Sequence, residues 1–164
     1  MFSTVSKVLL LVHGAATVAF GFLSIFLPWL HSCSIDVYLY KVVSADGTML
    51  ALDYKNKVCN TNPFNICYQQ TINYYGGATS MAFILISFVT TVNSIALSWI
   101  EFSNHTTIFV SMLLTVMFQL VGLLALPLSS SQLTLQWYSG FWIWFCGFFV
   151  LTDLLIAVSI IEGF

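Results

Sequence analysis

Residues Val8–Trp29, VLLLVHGAATVAFGFLSIFLPW, contain no Asp, Glu, Lys or Arg and are long enough to cross a bilayer as one helix. A transmembrane helix needs about 20 apolar residues to cover the hydrocarbon core. Three further apolar stretches follow, at residues 78–100, 107–128 and 141–161. The sequence therefore predicts an all-α membrane protein, an antiparallel bundle of four transmembrane helices in one domain over residues 1–164.

The composition excludes several classes of protein. Apolar residues make up 59% of the chain and charged residues only 6%, whereas soluble domains carry about 25% charged residues. A net charge of −2 offers no basic surface for nucleic acid. The chain also lacks a phosphate-binding glycine loop, a His-Glu-x-x-His pair and a Gly-x-Ser-x-Gly elbow. We therefore predict a non-enzymatic protein with no catalytic residue, cofactor, metal or nucleic-acid partner.

The first loop, residues 31–77, contains a pattern that is typical of strands. Apolar residues at 35, 37 and 39 alternate with polar or aromatic ones, and Asp46-Gly47 is a strong hairpin signal. We expect residues Thr48–Tyr54 to form the returning strand. Gly76-Gly77 is expected to lead the chain into the second span.

The second loop, residues 129–140, repeats this alternation from Gln132 to Trp137, which predicts a half-buried strand. Two spans separate the loops, so both emerge on the same side of the membrane. Since three or more strands are needed for a stable sheet, we expect both loops to build one small extracellular antiparallel β-sheet.

Two cysteines of the first loop, Cys59 and Cys67, are close in sequence. Their spacing suits a disulfide that joins adjacent strands or closes a compact turn, on an oxidising side of the membrane. Free thiols and a metal site are the alternatives, although no Cys-x-x-Cys pair supports a metal. Cys33 would then be free or paired between chains.

Three polar residues fall inside the spans at comparable depth: His13, Asn93 and Asp153. A charged side chain in the bilayer interior costs at least about 2.5–3.5 kcal/mol, so it is expected to face the bundle interior, to be protonated or to be paired. We predict that the three residues form an intramembrane polar cluster. The cluster is either a structural pin or a proton or ion relay, to which Gln119 is the obvious addition.

Two helix faces suggest contacts between helices. Gly14, Thr17, Gly21 and Ser24 share one face of the first span, where small residues allow close approach of a neighbouring helix of the bundle or of a second copy. The fourth span is crowded with aromatic residues. They suit either an aromatic belt in lipid or a surface that membrane partners cover.

The lysines and the predicted disulfide bear on the orientation of the chain in the membrane, because a disulfide persists only on an oxidising side. Lys7 lies just before the first span, which favours a cytoplasmic N-terminus, whereas Lys41, Lys55 and Lys57 lie in the first loop and argue the other way. We expect both termini to be cytoplasmic and both loops extracellular. The glycosylation pattern Asn104-His105-Thr106 would then face the cytosol and stay unmodified.

These features together resemble the claudin superfamily, which includes the peripheral-myelin-protein type, channel gamma subunits and amastins. Pro28 and Trp29 at the end of the first span, where Trp is expected at headgroup level, resemble that family's residues at the same place. Cys59 and Cys67 resemble its paired first-loop cysteines, and the strand of the second loop resembles the one that completes its extracellular sheet. The resemblance implies a four-span protein of the same architecture.

We therefore expect a structural or interaction role, with binding of membrane lipids and of other membrane proteins through the sheet and the lateral helix faces. The alternatives are an accessory subunit of a larger channel, transporter or organellar complex, and a small ion or proton conduit. The expected location is the plasma membrane, with an organellar membrane as the alternative.

Overall fold

A computed structural model describes residues 2–32, 34–100, 104–129 and 136–163. The described chain is mostly helical and carries one small sheet at one end of the bundle. We call this end the sheet side, and the opposite end, where the first helix begins and the last one ends, the terminal side. The helices are α1 Thr4–Phe26, α2 Ala51–Thr61, α3 Phe64–Trp99, α4 His105–Ser129 and α5 Ser139–Glu162.

Within the described residues, the four helices α1, α3, α4 and α5 are long and apolar enough to cross a membrane, which confirms a multi-pass membrane protein and a four-helix bundle. Their bounds differ from the expected ones at the ends. The first span, expected at residues 8–29, begins at Thr4 because the Ser3 side chain accepts a hydrogen bond from the Ser6 N–H and caps the helix. It ends at Phe26, before Pro28.

Helix α3 differs most from expectation. It contains 36 residues and begins at Phe64, not near residue 78, so the predicted break at Gly76-Gly77 is wrong. Both glycines are buried within the helix. A Cβ on Gly77 would lie 3.3 Å from the carbonyl oxygen of Leu39, so the glycine allows the first loop to pack closely against a continuous helix.

The four spans form a ring in which each helix packs against two others. Helix α1 contacts α3 and α5, and α4 contacts the same two helices from the other side. Gly14, Thr17, Gly21 and Ser24 are all buried within the bundle, as expected for packing between helices of one chain. A Cβ on Gly21 would overlap the rings of Phe88 and Trp144, so any larger residue here would require these rings to move.

The strands on the sheet side come from both loops, as predicted. They form one antiparallel sheet in the order β4-β3-β2-β1-β5. The second loop contributes β5, which pairs with β1 in the register Leu30 to Trp137 and His31 to Gln136. The strands are β1 Leu30–Ser32, β2 Ile35–Val37, β3 Lys41–Ser44, β4 Gly47–Leu50 and β5 Gln136–Trp137.

Three details of the sheet differ from the sequence prediction. The hairpin turns at Gly47, which has a φ of 119°, but the returning strand ends at Leu50 and not at Tyr54. The chain then enters α2 at Ala51, whose N–H bonds to the Tyr40 carbonyl. Strand β1 was not expected, and the part of the predicted second-loop strand at 132–135 lies outside the described residues.

Two apolar clusters fill the bundle. The cluster on the sheet side surrounds Trp29 and Trp144, both fully buried, and joins the helix ends to Leu30 of β1 and Leu39 of the first loop. The cluster on the terminal side is built mainly from aliphatic residues of α1, α4 and α5. The sheet is therefore anchored on the bundle through shared core residues.

Candidate functional site

The disulfide between Cys59 and Cys67 is present and confirms the predicted pairing. It joins the end of α2 to the first turn of α3, with the two Cα atoms 4.4 Å apart, so it links helices and not strands. The two helices meet at Asn62-Pro63, where the fixed proline geometry favours an abrupt change of direction. The predicted odd cysteine, Cys33, lies outside the described residues.

The tip, which we define as residues 61–68, carries an exposed aromatic pair. Phe64 is 79% exposed and Tyr68 58% exposed, and their rings stack with centroids 6.2 Å apart. Ile66 is exposed beside them. The apolar stretch of α3 that is expected to cross the membrane begins at residue 78, and Phe64 precedes that residue by about 21 Å along the helix at about 1.5 Å per residue. The tip therefore presents apolar surface beyond the stretch expected to lie in lipid.

The three lysines of the first loop are used within the loop itself. Lys57 Nζ lies 3.1 Å from an Asp46 carboxylate oxygen, and Lys41 Nζ lies 4.5 Å from the Tyr38 ring centroid. Lys55 Nζ similarly lies 5.5 Å from the ring centroid of Tyr74. These contacts give the loop lysines a local structural role, by ion pairing and by cation–π interaction.

Pro28 and Trp29 connect the end of α1 to the sheet. Trp29 is fully buried and its indole N–H donates to the Ser24 carbonyl at 2.9 Å, so its ring packs inside the protein and not against lipid, while its depth at headgroup level stays a prediction. The Gly140 N–H donates to the Pro28 carbonyl at 2.8 Å. A Cβ on Gly140 would lie 2.7 Å from the Leu27 carbonyl oxygen, so glycine is needed at this contact.

The predicted polar cluster is not formed. His13 Nδ1 contacts the Leu9 carbonyl of its own helix at 3.1 Å, and Asn93 Nδ2 donates to Ser111 Oγ on α4 at 3.2 Å. Asp153 is exposed on the outside of α5 and makes no hydrogen bond or ion pair with any described residue. Equal depth was therefore not sufficient, because the rotation of α5 points Asp153 away from the bundle.

Asp153 belongs to a continuous exposed stripe on α5. The exposed positions are separated alternately by four and three residues, which keeps them on one face of a helix. We call this stripe the α5 seam. It consists of Trp142, Cys146, Phe149, Asp153, Ile156 and Ile160.

Hydroxyl groups join α3 to α4 inside the membrane. Ser94 Oγ and Ser111 Oγ lie 2.8 Å apart, and the Leu126 N–H donates to Ser80 Oγ at 3.1 Å. Small polar residues at helix interfaces allow close packing and hydrogen bonding in lipid. By contrast, among the described residues the fully buried Gln119 finds no hydrogen-bond partner for either end of its amide, and the same holds for the hydroxyl of Thr17 and the indole N–H of Trp144.

The terminal side contains a junction that the sequence did not predict. Glu162 at the end of α5 accepts hydrogen bonds from the Ser3 N–H at 3.0 Å and from the Ser3 hydroxyl at 2.7 Å. His105 at the start of α4 lies 3.8 Å from the other carboxylate oxygen. A carboxylate at a helix N-terminus is favourable, so Glu162 fastens α5 to α1. The helix-capping residue Ser3 was a signal for the start of α1 but not for this long-range partner.

Neither family models nor curated proteins nor solved structures match the chain. The resemblance to the claudin superfamily therefore remains a prediction from the residues quoted above. In the part of the chain that the structure describes, no three His, Cys, Asp or Glu side chains lie close enough together to hold a metal ion. The features that could carry function are the tip and the α5 seam.

Proposed function

We propose that the chain is a non-enzymatic membrane interaction protein that binds another protein through its tip. On this proposal the sheet side faces the cell exterior and both termini are cytoplasmic, in the plasma membrane. The architecture proposed is the claudin-like one, in which the loops outside the membrane form the recognition unit and the bundle anchors it.

The observation that carries this proposal is the exposed Phe64–Tyr68 pair. Exposed aromatic side chains of this kind mark interaction sites, since they bury a large apolar area on binding. The tip is also held in a fixed conformation, because the disulfide joins α2 to α3 beside the pair. A fixed site loses less conformational entropy on binding than a flexible loop does.

The proposal is tested by photo-crosslinking in native membranes. A photoreactive amino acid replaces Tyr68 in one variant and the exposed Thr48, on strand β4 and outside the tip, in a matched control. We expect a discrete protein adduct from position 68 that is weak or absent from position 48. The adduct should decrease when Cys59 and Cys67 are both replaced by serine, because the tip is then no longer fixed.

Two results would contradict the proposal. One is the same adducts from both positions, which would show that the tip has no specific partner. The other is adducts of lipid mass alone from position 68, which would place the tip against a bilayer and not against a protein.

A second candidate function is an accessory subunit of a larger membrane complex. It is favoured by the exposure of Asp153, because an acidic side chain facing lipid is costly and an assembly could cover it. Co-purification with a larger protein at fixed stoichiometry, in a mild detergent, is the expected behaviour of such a subunit.

An ion or proton conduit has less support. Asp153, the main candidate for a relay, faces outward. The cavity between the four helices that Thr91, Ser94 and Thr115 line has a volume of about 10 Å³, which suffices for no more than one water molecule. Ion or proton flux through the protein reconstituted alone in vesicles would instead favour the conduit over the interaction role.

A further inference from the structure

We propose that the α5 seam is a docking site for a transmembrane helix of another protein that presents a basic side chain to Asp153. This inference deepens the proposed role as an interaction protein and rests on it. The tip would recognise its partner outside the membrane, whereas the α5 seam would bind a helix within it.

The position of Asp153 requires a partner from outside the chain. Helix α5 has 24 residues, so Asp153 lies about 4 Å from its midpoint at about 1.5 Å per residue. An aspartate side chain is too short to reach the headgroups from that depth. Leaving it against lipid is unfavourable whether it is ionised or protonated, and a basic group on a neighbouring helix removes this penalty.

The described part of the chain offers no cation for this purpose. Lys7 lies on the terminal side, with its Nζ 5.6 Å from the centroid of the Trp99 ring, and the other lysines are held in the first loop. His13 contacts its own helix, and Asp153 faces outward, away from the interior of the bundle. Charge complementarity therefore favours a basic residue that a different chain supplies.

The α5 seam also has the geometry of a helix-docking surface. Its alternating spacing of four and three residues is that of a helix that packs along another helix. The aromatic part is already packed before any partner binds, since the Phe145 and Phe149 ring centroids are 4.7 Å apart and those of Trp142 and Phe145 are 5.6 Å apart. Cys146 provides a small position between the large Trp142 and Phe149, into which a side chain can fit.

The experiment uses the full chain in phosphatidylcholine vesicles together with synthetic transmembrane helices of leucine and alanine. Three helices differ only at the central residue, which is lysine, leucine or aspartate. Association is measured by energy transfer between a fluorophore at the N-terminus of the protein and one on the helix. A central lysine can reach Asp153 in either orientation of the helix, because Asp153 lies near the bilayer midplane.

We expect the lysine helix to bind about tenfold more tightly than the leucine helix, which is the scale of a favourable polar contact between helices in lipid. The aspartate helix should bind no better than the leucine helix. Asp153→Asn should abolish most of the lysine advantage. Thr152→Ser is the matched control and should retain it, because the Thr152 hydroxyl bonds to the Phe148 carbonyl of its own helix.

Three results would overturn the inference. The first is equal binding of the lysine and leucine helices to the unmodified protein. The second is a lysine advantage that Asp153→Asn leaves unchanged. The third is self-association of the protein through Asp153 without any added helix, because a second copy would then cover the α5 seam. The photo-crosslinking at the tip does not depend on Asp153, so failure of either proposal can be distinguished from failure of the other.

Discussion

Asp153 and Gln119 are both polar, both lie in membrane-spanning helices and both lack a hydrogen bond to any described residue, but they face in opposite directions. Asp153 is exposed on the outside of α5, whereas Gln119 is fully buried inside the bundle. A polar group costs stability where it is desolvated without a partner. The two positions therefore predict different effects of removing the polar group.

Asp153→Leu should leave the thermal stability of the bundle in detergent unchanged or raise it slightly. The Asp153 side chain makes no hydrogen bond or ion pair with any described residue. Substitutions at outward-facing positions usually change the free energy of unfolding by less than about 0.5 kcal/mol. Circular dichroism during heating measures this. The control, Leu154→Asp, moves the acid to a fully buried neighbour and should destabilise strongly. A large loss for Asp153→Leu would restore the role of a structural pin.

Gln119→Leu should stabilise the bundle, by about 1–3 kcal/mol, because it removes two unpaired polar groups from the interior and keeps a similar volume. The change is measured in the same melting experiment. Met117→Leu, on the outward-facing side of the same helix, should have little effect. Destabilisation by Gln119→Leu would show that the amide is bonded after all.

At the scale of the elements, the contact between the end of α1 and the start of α5 fixes the sheet on the bundle. Gly140→Ala should destabilise the protein by about 1–3 kcal/mol, as for an overpacked core. The reason is that the added Cβ would lie 2.7 Å from a backbone carbonyl oxygen, which has little freedom to move. Ser139→Ala is the control at the preceding residue. Equal melting temperatures for the two variants would contradict this account of the contact.

Replacing both Cys59 and Cys67 by serine should release α2 while the transmembrane bundle stays folded. The disulfide links α2 to α3, and α2 has no fully buried residue of its own. Its other attachments include surface contacts such as those of Lys57 with Asp46 and Lys55 with Tyr74, which contribute little to stability. Limited proteolysis should then cut faster between residues 51 and 63, with the mass of the bundle fragment unchanged. Loss of the whole bundle would contradict this division of roles.

The sequence predicted the four spans, the disulfide and a sheet of strands from both loops, because apolar runs, cysteine spacing and alternation are local signals. It did not predict the start of α3 or the helix α2. Residues 64–77 carry no strong apolar period, and in the structure they form a helix that packs against α2 and Leu39. The predicted polar cluster of His13, Asn93 and Asp153 is not formed for a related reason. The sequence gives the depth of Asp153 in the membrane but not the rotation of α5 about its own axis.

At the scale of the whole molecule, both loops emerge on one side of the bundle and are joined there by backbone hydrogen bonds. Strand β1 follows directly from α1, and β5 leads into α5. The pairing of β1 with β5 therefore fastens the first and last spans together on the sheet side. Glu162 and Ser3 join the same two helices on the terminal side, so α1 and α5 are linked at both ends.

The pairing of the two loops is tested most directly by an engineered disulfide. His31→Cys is combined with Gln136→Cys, which are partners in the register of β1 and β5, in a background with Cys33→Ser and Cys146→Ser. Directly opposed residues of antiparallel strands have Cβ atoms about 5 Å apart. The matched control combines His31→Cys with Thr48→Cys, since β1 and β4 are not neighbours in the sheet.

Mass spectrometry without reduction, on protein from native membranes, identifies the crosslinked peptides. We predict a disulfide between positions 31 and 136 and none between positions 31 and 48. No crosslink between 31 and 136, with the two introduced thiols labelled from opposite sides of the membrane, would contradict the fold on which both proposals depend.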